Sequence, residues 1–587
     1  MIRRPSDLPA TIIRRPSDLS AAVIAAAADA ERPAAIEATT GAVQPATVEA
    51  TAVAAPPATV EATAVAEQPP VITVAARAAR PIILAPELLD ALAASRRDAL
   101  RDLGGDRPVY GVNTGMGAMA GVRLDPAAQA RQQNTLMIGR SVGSAPWLSR
   151  REARAVLAAR LRTLLHPAAG VSPELCQFLV ALLDAGVVPA IPRRGGAAGE
   201  IIPLAHAGAA LIGAGMVLSP AGEAVDAAPA LAAAGLTPRP FEAKEGVAFL
   251  EGVPGLTGLA VLAAGDTRTL LDQVLVAAAA AHAVIGASDD PLHPALADSD
   301  ELDAVLTAMR GLLPRALPEG GTAAHGPLGD ATDPRGLPEG GTAAHGPLGD
   351  GTAAHGLPEG GSARRLQAPV SFRVTAPALA VALRAVAGLE AATERALAGV
   401  TDSPAHLDGR FVGTFGFAGT ELAHQAGALT TALVHLAELG AARLHRLLDA
   451  EITGLPRQLS DAPGLHAGMV TVHKRAVGVV HRLRRFATPA LAGAVETSLG
   501  QEDVQSFGFE AAECLAEAIT GLRDVVACEL LAIHQARLLG APVGDAFGPA
   551  LDEIAAVLPE GTADRPFGRD LDQIITRLAG GWSSRGR

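Results

Sequence analysis

The sequence is short of tyrosine, cysteine and basic charge. Tyr110 is the only tyrosine in 587 residues, so whatever proton transfer a phenol performs in this chain falls to one side chain. The three cysteines, Cys176, Cys514 and Cys528, are odd in number, lack metal-ligand spacing and sit in apolar, helix-like surroundings. Buried thiols in a reducing, cytoplasmic compartment are therefore expected. Lys and Arg number 48 against 61 Asp and Glu, a net charge of -13. Phosphate attraction needs clustered cations, so neither nucleic acid nor a polybasic membrane contact is expected. The most lipophilic run, "VLVAAAAAHAVIGA" at 274–287, falls short of the roughly 20 apolar residues that cross a bilayer. It reads as a buried helix. "RRPSDLSAAVIAAAADA" has a basic pair before an apolar patch, but the patch soon meets Asp29, Glu31 and Arg32, which argues against an export signal. Small molecules remain the expected partners.

What is present is apolar and repetitive. Hydrophobic residues make up 49% of the chain and the mean hydropathy is +0.28, ample for a large core. "IRRPSDL" occurs at 2–8 and 13–19, and "PATVEATAVA" at 45–54 and 57–66. These copies are poor in large side chains, and 1–70 is expected to be a disordered tail. "LPEGGTAAHGPLGD" begins at 317 and returns at 337. Its Pro and Gly density forbids regular helix, so 317–361 reads as a flexible insertion. His325, His345 and His355 recur there without clustered acid or cysteine, and no metal is expected. Elsewhere leucine and alanine recur every three to four residues, with arginines between them, at 149–165, 427–456 and 510–538. Such periodicity, with little Val/Ile/Thr alternation, predicts a mainly α protein built on a bundle of long helices. The flanking parts are 71–316 and 362–540, followed by a C-terminal helical segment at 541–587.

Two glycine-rich stretches carry the candidate chemistry. "PVYGVNTGMGAMAG", 108–121, is an irregular turning loop around Tyr110. Its glycines do not give G-x-G-x-x-G, so it is not a dinucleotide loop. "VPAIPRRGGAAGEIIPLAH" joins an apolar run to the start of a helix, where free N–H groups favour an anion. No Lys-Ser/Thr pair follows, and the spacing excludes a P-loop.

Taken in order, "YGVNTGMG", "GAAGEIIPLAH", "KEGVAFLEG", "QAPVSFR", "TDSP", "GLP", "PGLHAGM" and "SLGQEDVQSFG" resemble the histidine and aromatic amino-acid ammonia-lyase family from about residue 72 to 540. The resemblance implies a central bundle of long antiparallel helices of the fumarase/aspartase kind. It also implies a homotetramer whose active sites combine residues from three subunits. In the family an Ala-Ser-Gly tripeptide cyclises, with loss of two waters, to the electrophile methylidene-imidazolone. Here the matching residues are Ala197, Ala198 and Gly199. A methyl group cannot leave as water, so Ala198 cannot supply the exocyclic methylene, and no such cofactor is expected. The preceding segment is also two residues short of the family pattern, and Glu200 stands where an aspartate is usual.

The resemblance further implies Tyr110 as catalytic acid or base, in a loop that also places Gly117 against substrate. It implies Arg373 as the holder of a substrate carboxylate, a role suited to its planar fork, and Phe415 as an aromatic beside the substrate. Gln501 and Glu502 match the pair that approaches its ring or amine, Glu502 with a catalytic part. Other positions are altered. Glu251 stands in place of an asparagine, Val370 of a second lid tyrosine and Ala368 of an aspartate. Arg140 stands in place of a ring-recognising histidine, and His466-Ala467 in place of Asn-Ser. Arg140 and Glu251 would add charge to a pocket, where unpaired charge is costly. The expected function is elimination, addition, isomerisation or cyclisation of an already activated, carboxylate-bearing molecule. The alternatives are a non-catalytic homologue that binds a ligand or scaffolds partners, and an orthodox ammonia-lyase.

Overall fold

The computed structural model describes residues 11–30, 81–196, 199–313, 367–493 and 495–581. The repeat insertion expected at 317–361 and the loop residues Ala197 and Ala198 lie outside them. The protein is mainly α, with three small sheets among the described residues. Thr11–Ile13 pairs in parallel with Ile82–Leu84, and Ala405–Leu407 pairs antiparallel with Arg410–Val412. Met216–Leu218 lies between Val188–Pro189 and Ala224–Asp226, antiparallel to both. The chain divides into two compact units, one of Met1–Leu262, Glu390–His424 and Ala490–Glu513, the other of Ala263–Leu389, Gln425–Pro489 and Cys514–Arg587.

In the first unit the helix Arg150–Leu164 starts where local chemistry dictates. The Ser149 hydroxyl accepts from the Glu152 N–H at 3.3 Å, and the Glu152 carboxylate accepts from the Ser149 N–H at 2.7 Å, so two otherwise orphaned donors are satisfied reciprocally. The helix Pro173–Ala185 begins the same way, with Ser172 accepting from the Leu175 N–H, and ends at Gly186 in the left-handed region. Arg154 and Arg160 do not face water: every residue from Ala153 to Leu164 is buried. They reach backbone carbonyls that would otherwise be unpaired. Arg154 donates to Ala27 and Leu183, and Arg160 to Ala248 and Glu251.

The expectation of a disordered tail over 1–70 is corrected for residues 11–30. Ile13, Leu19 and Ile24 are fully buried, and Ala21–Asp29 is helical. Its small alanines let that helix lie close to Arg150–Leu164, where Arg154 binds the Ala27 carbonyl at its C-terminal end and Arg151 pairs with Asp29 at 2.6 Å. The remaining tail residues lie outside the described ones.

Long helices include Pro254–Val284, Thr375–Ala398, Thr420–Leu447 and Gly508–Leu538. The first extends well beyond the apolar run at 274–287. By length and composition alone, Glu245–Val284 and Thr375–Ala398 are apolar enough to cross a membrane, and 89% of the former's most apolar window is buried within the protein. In the second unit, Arg443 holds three of these helices together. It donates to both Glu529 carboxylate oxygens at 2.7 and 2.9 Å and to the Thr375 hydroxyl at 2.8 Å, with Arg443 and Glu529 shut off from solvent. Gln535 donates to the carbonyls of Leu459 and Thr562, and the C-terminal segment carries the helices Gly548–Ala555 and Phe567–Ala579.

Removing one partner of such a buried pair strands the other's charge. Arg443→Met is therefore expected to lower stability by about 3–5 kcal/mol, read as the shift in a urea unfolding midpoint. A change under about 1 kcal/mol, the value of an exposed pair, would show that Glu529 finds another partner.

Candidate active site

The Tyr110 loop is built from its own side chains. Asn113 accepts from the Val109 N–H at 2.7 Å and donates to the Arg107 carbonyl at 2.9 Å, an Asx-type closure. Gly115 packs so tightly on the Met119 backbone that a Cβ would overlap it, and Gly117 has a φ of 58°. The Gly117 N–H then donates to the Tyr110 phenol oxygen at 2.8 Å. The positive φ accounts for the glycine at 117, which touches the tyrosine through its backbone.

Gln133, fully buried on the helix Pro126–Arg140, joins this loop to the segment that carries Glu251. Its amide donates to the Gly111 carbonyl at 3.1 Å and accepts from the Val247 N–H at 3.0 Å. Glu251 ends the short helix Glu245–Leu250, whose terminal carbonyls are held by Arg160 at 3.1 Å from Ala248 and 2.7 Å from Glu251. Across the same unit Lys244, buried and with a φ of 71°, donates to Asp402 at 2.8 Å. Thr414 binds the Asp402 carbonyl and the Ser403 hydroxyl, fixing the "TDSP" turn.

These segments enclose a cavity of about 380 Å³, within the range of small-molecule pockets. Tyr110, Glu251, Gln501 and Glu502 all line it. Ile201, at the head of the helix that follows the glycine-rich loop, is also on its wall. Gly199 has a φ of 67°, and the Glu200 carboxylate accepts from the N–H groups of Gly255 and Leu256 at 2.5 and 2.6 Å, in the first turn of Pro254–Val284. Thr497 donates to the Glu502 carboxylate at 2.5 Å. Arg140 is half-buried and close enough to Tyr110, Glu251 and Glu502 to perturb their charges. The turn after it is held by His206, which accepts from the Gly143 N–H at 3.0 Å.

Two expected residues are not on this cavity's wall within the chain. Phe415 is 89% exposed and absent from the cavity wall, which Phe411 and Phe417 form instead. The cause is the next residue: Gly416 packs on the Val400 and Thr401 backbone, too close to admit a side chain, and this pins the turn with Phe415 outward. Arg373 belongs to the second unit, where its Nε is buried without a hydrogen-bond partner among the described residues. Val370, also in that unit, is exposed, and His466 pairs with Asp461 at 2.6 Å. Sequence reading missed Arg107 and Phe411 on the wall and Arg160 and Lys244 behind it. Arg107 stood two residues before "VYG", but nothing in a lone surface-type arginine marks a wall.

The electrostatics follow from burial. Glu251 is 8% exposed, and its carboxyl has no hydrogen-bond or ion-pair partner among the described residues. Desolvation foremost, then Glu502, push it up to about 7, against the pull of Arg160 and Lys244. Burial likewise raises Glu200 to about 7. Tyr110 is raised by burial, so near neutrality it is a phenol rather than a phenolate.

The segments that build the cavity fall within a stretch that matches a known family. A family model of aromatic amino acid lyases matches residues 69–558. The chain belongs to this aromatic amino acid lyase family. It is 33% identical over 507 residues to the histidine ammonia-lyase of Streptomyces coelicolor, covering 84% of this chain and 90% of that one. It is 30% identical to that of Gloeobacter violaceus, covering 85% and 91%. Among solved structures it shares the fold of histidine ammonia-lyase from Trypanosoma cruzi, at a TM-score of 0.72, 23% identity and coverage of 85% and 89%. The tyrosine aminomutase of Streptomyces globisporus gives 0.74 at 24%, with 85% and 93% covered.

A buried carboxyl with a raised pKa has a sign that can be read in stability. Between 4.5 and about 7 the folded chain holds a proton on Glu251 that the unfolded chain has lost, so this group's contribution to stability falls as pH rises through that window. Glu251→Gln removes the loss. The variant should match wild type at about pH 4 and exceed it at about pH 8, by up to about 3 kcal/mol, in chemical unfolding at the two pH values. A variant less stable than wild type at the higher pH would show that the carboxylate is paired after all.

Proposed function

We propose that this lyase-family chain is a cofactor-independent acid–base enzyme. It would catalyse elimination, addition, isomerisation or cyclisation on a small, carboxylate-bearing molecule that is already activated, for instance by a carbonyl beside the reacting C–H bond. One observation carries the reading: position 198 has no hydroxyl to lose, while the cavity keeps Tyr110 together with two carboxyls. An amine is a poor leaving group and a β-hydrogen a weak acid, so ammonia loss needs an electrophile that Ala197-Ala198-Gly199 cannot form. The residues do not fit methylidene-imidazolone, and no step here passes through it. Tyr110, raised by burial and accepting from the Gly117 N–H, serves as the acid that protonates a developing oxyanion or leaving group. Arg140 and Arg107 supply positive charge beside the carboxyls, and Gln501 a neutral polar group. Arg373 is assigned to the substrate carboxylate on the resemblance alone.

The same reading includes a homotetramer. Phe415 at 89% and Leu499 at 94% exposure, both on segments adjoining the site residues, are the kind of apolar surface that association covers. A second reading, that the chain releases ammonia from histidine or an aromatic amino acid, is favoured by its family match and its 33% identity to a histidine ammonia-lyase. Intact-mass measurement on the purified protein separates the two. The expected mass is that of the unmodified chain, with no ammonia released from histidine, phenylalanine or tyrosine. A chain lighter by about 36 Da, two waters lost in covalent self-modification, or ammonia release from any of the three, overturns the proposal in favour of the second reading.

A further inference from the structure

The buried charges behind the cavity do not balance. Two cations, Arg160 and Lys244, stand among three carboxyl groups, Glu200, Asp402 and Glu251, all of them buried. Lys244 is taken by Asp402 at 2.8 Å. Arg160 spends its terminal nitrogens on the carbonyls of Ala248 and Glu251, leaving Glu200 and Glu251 to share its field. Two unscreened carboxylates beside one guanidinium compete for its field, so one of them takes up a proton more readily than a free carboxyl does. Its place is decided by geometry. Glu200 accepts two backbone N–H groups at the start of the 31-residue helix Pro254–Val284, a setting that favours the anion. Glu251 accepts nothing from the described residues, and it lines the cavity wall with Tyr110. Its missing hydrogen-bond partner is therefore to be sought inside the cavity.

Resting on the cofactor-free reading above, we propose that Glu251 is a catalytic residue of this pocket, the general base that takes a proton from substrate carbon and returns it, with the Tyr110 phenol as the paired acid. The substrate class is a 2-oxo acid or another molecule with hydrogen on a carbon next to a carbonyl. The C–H bond breaks and its proton forms the O–H bond of Glu251. The electron pair moves through the new carbon–carbon double bond to the carbonyl oxygen, which takes the Tyr110 proton, giving the enol. Reversal restores both residues. The Tyr110 oxygen already accepts from the Gly117 N–H, so its hydrogen is left to be donated. The charged and titratable groups facing Glu251 are Glu502 and Asp402, which oppose its ionisation, and Arg160 and Lys244, which favour it. Arg140 and Tyr110 flank the same space. Burial places the titration near neutrality, where a base must work.

The test uses the full-length protein and phenylpyruvate as probe. In D2O, followed by NMR, wild type is expected to accelerate deuterium exchange at the carbon beside the carbonyl over buffer alone, with a rate that rises as pH passes through the neutral range and then levels. Glu251→Gln should lose on the order of 100-fold and flatten that profile, and Glu251→Asp should recover part of the rate. Infrared difference spectra without any ligand should show protonated-carboxyl absorption that falls over the same pH range and is weaker in Glu251→Gln. An unaccelerated wild type, a Glu251→Gln protein as fast as wild type, or absorption left unchanged by that substitution overturns the assignment. A mass deficit of two waters, by contrast, sinks the cofactor-free reading and is detected without reference to Glu251.

Discussion

Arg160 has no route to water, and much of the site depends on how its charge is satisfied. A guanidinium left without acceptors in a protein interior costs several kcal/mol, so the chain must bring carbonyls to it. Those of Ala248 and Glu251 serve, and in meeting the arginine they end a short helix where Glu251 can look into the cavity. Val247, just before Ala248, meets the Gln133 amide, and with it the loop of Tyr110. One buried cation thus sets the position of Glu251 and, through one more side chain, of Tyr110.

The same region shows how helix architecture constrains the charges around the cavity. A helix N-terminus offers N–H groups that need acceptors whatever the reaction. Here Glu200 supplies them at the head of Pro254–Val284. That requirement survives the alanine at 198, because it belongs to the backbone of the helix rather than to the tripeptide. Glu251 differs in this respect: no backbone donor claims it, so its ionisation is governed by desolvation and by the charges of Glu502, Arg160 and Lys244.

Much of this was legible along the chain. The long helices follow from leucine and alanine spacing, and the helix starts at Ser149 and Ser172 from capping chemistry that acts within three residues. The ordered series of short motifs placed Tyr110, Glu251, Gln501 and Glu502 in one site, and the structure brings these four to one cavity wall. The outward turn of Phe415 escaped that reading because it depends on how closely Gly416 meets the Val400 backbone, a contact between loop strands with no local signature. The packed segment at 11–30 escaped it too, since an alanine-rich repeat looks alike whether or not a partner helix lies beside it.

By itself, then, the sequence determined the helical class, the loop that carries the phenol and the absence of a hydroxyl at residue 198. Those are matters of periodicity and side-chain identity, which neighbours in the chain settle. Tertiary structure alone decided which charges would be denied water and which would meet a partner. Arg160, Glu200, Asp402 and the short segment that carries Lys244 and Glu251 lie far apart in sequence, and a carboxyl's proton affinity depends on the solvent and charge within a few ångströms of it, a neighbourhood that exists only once the chain has folded.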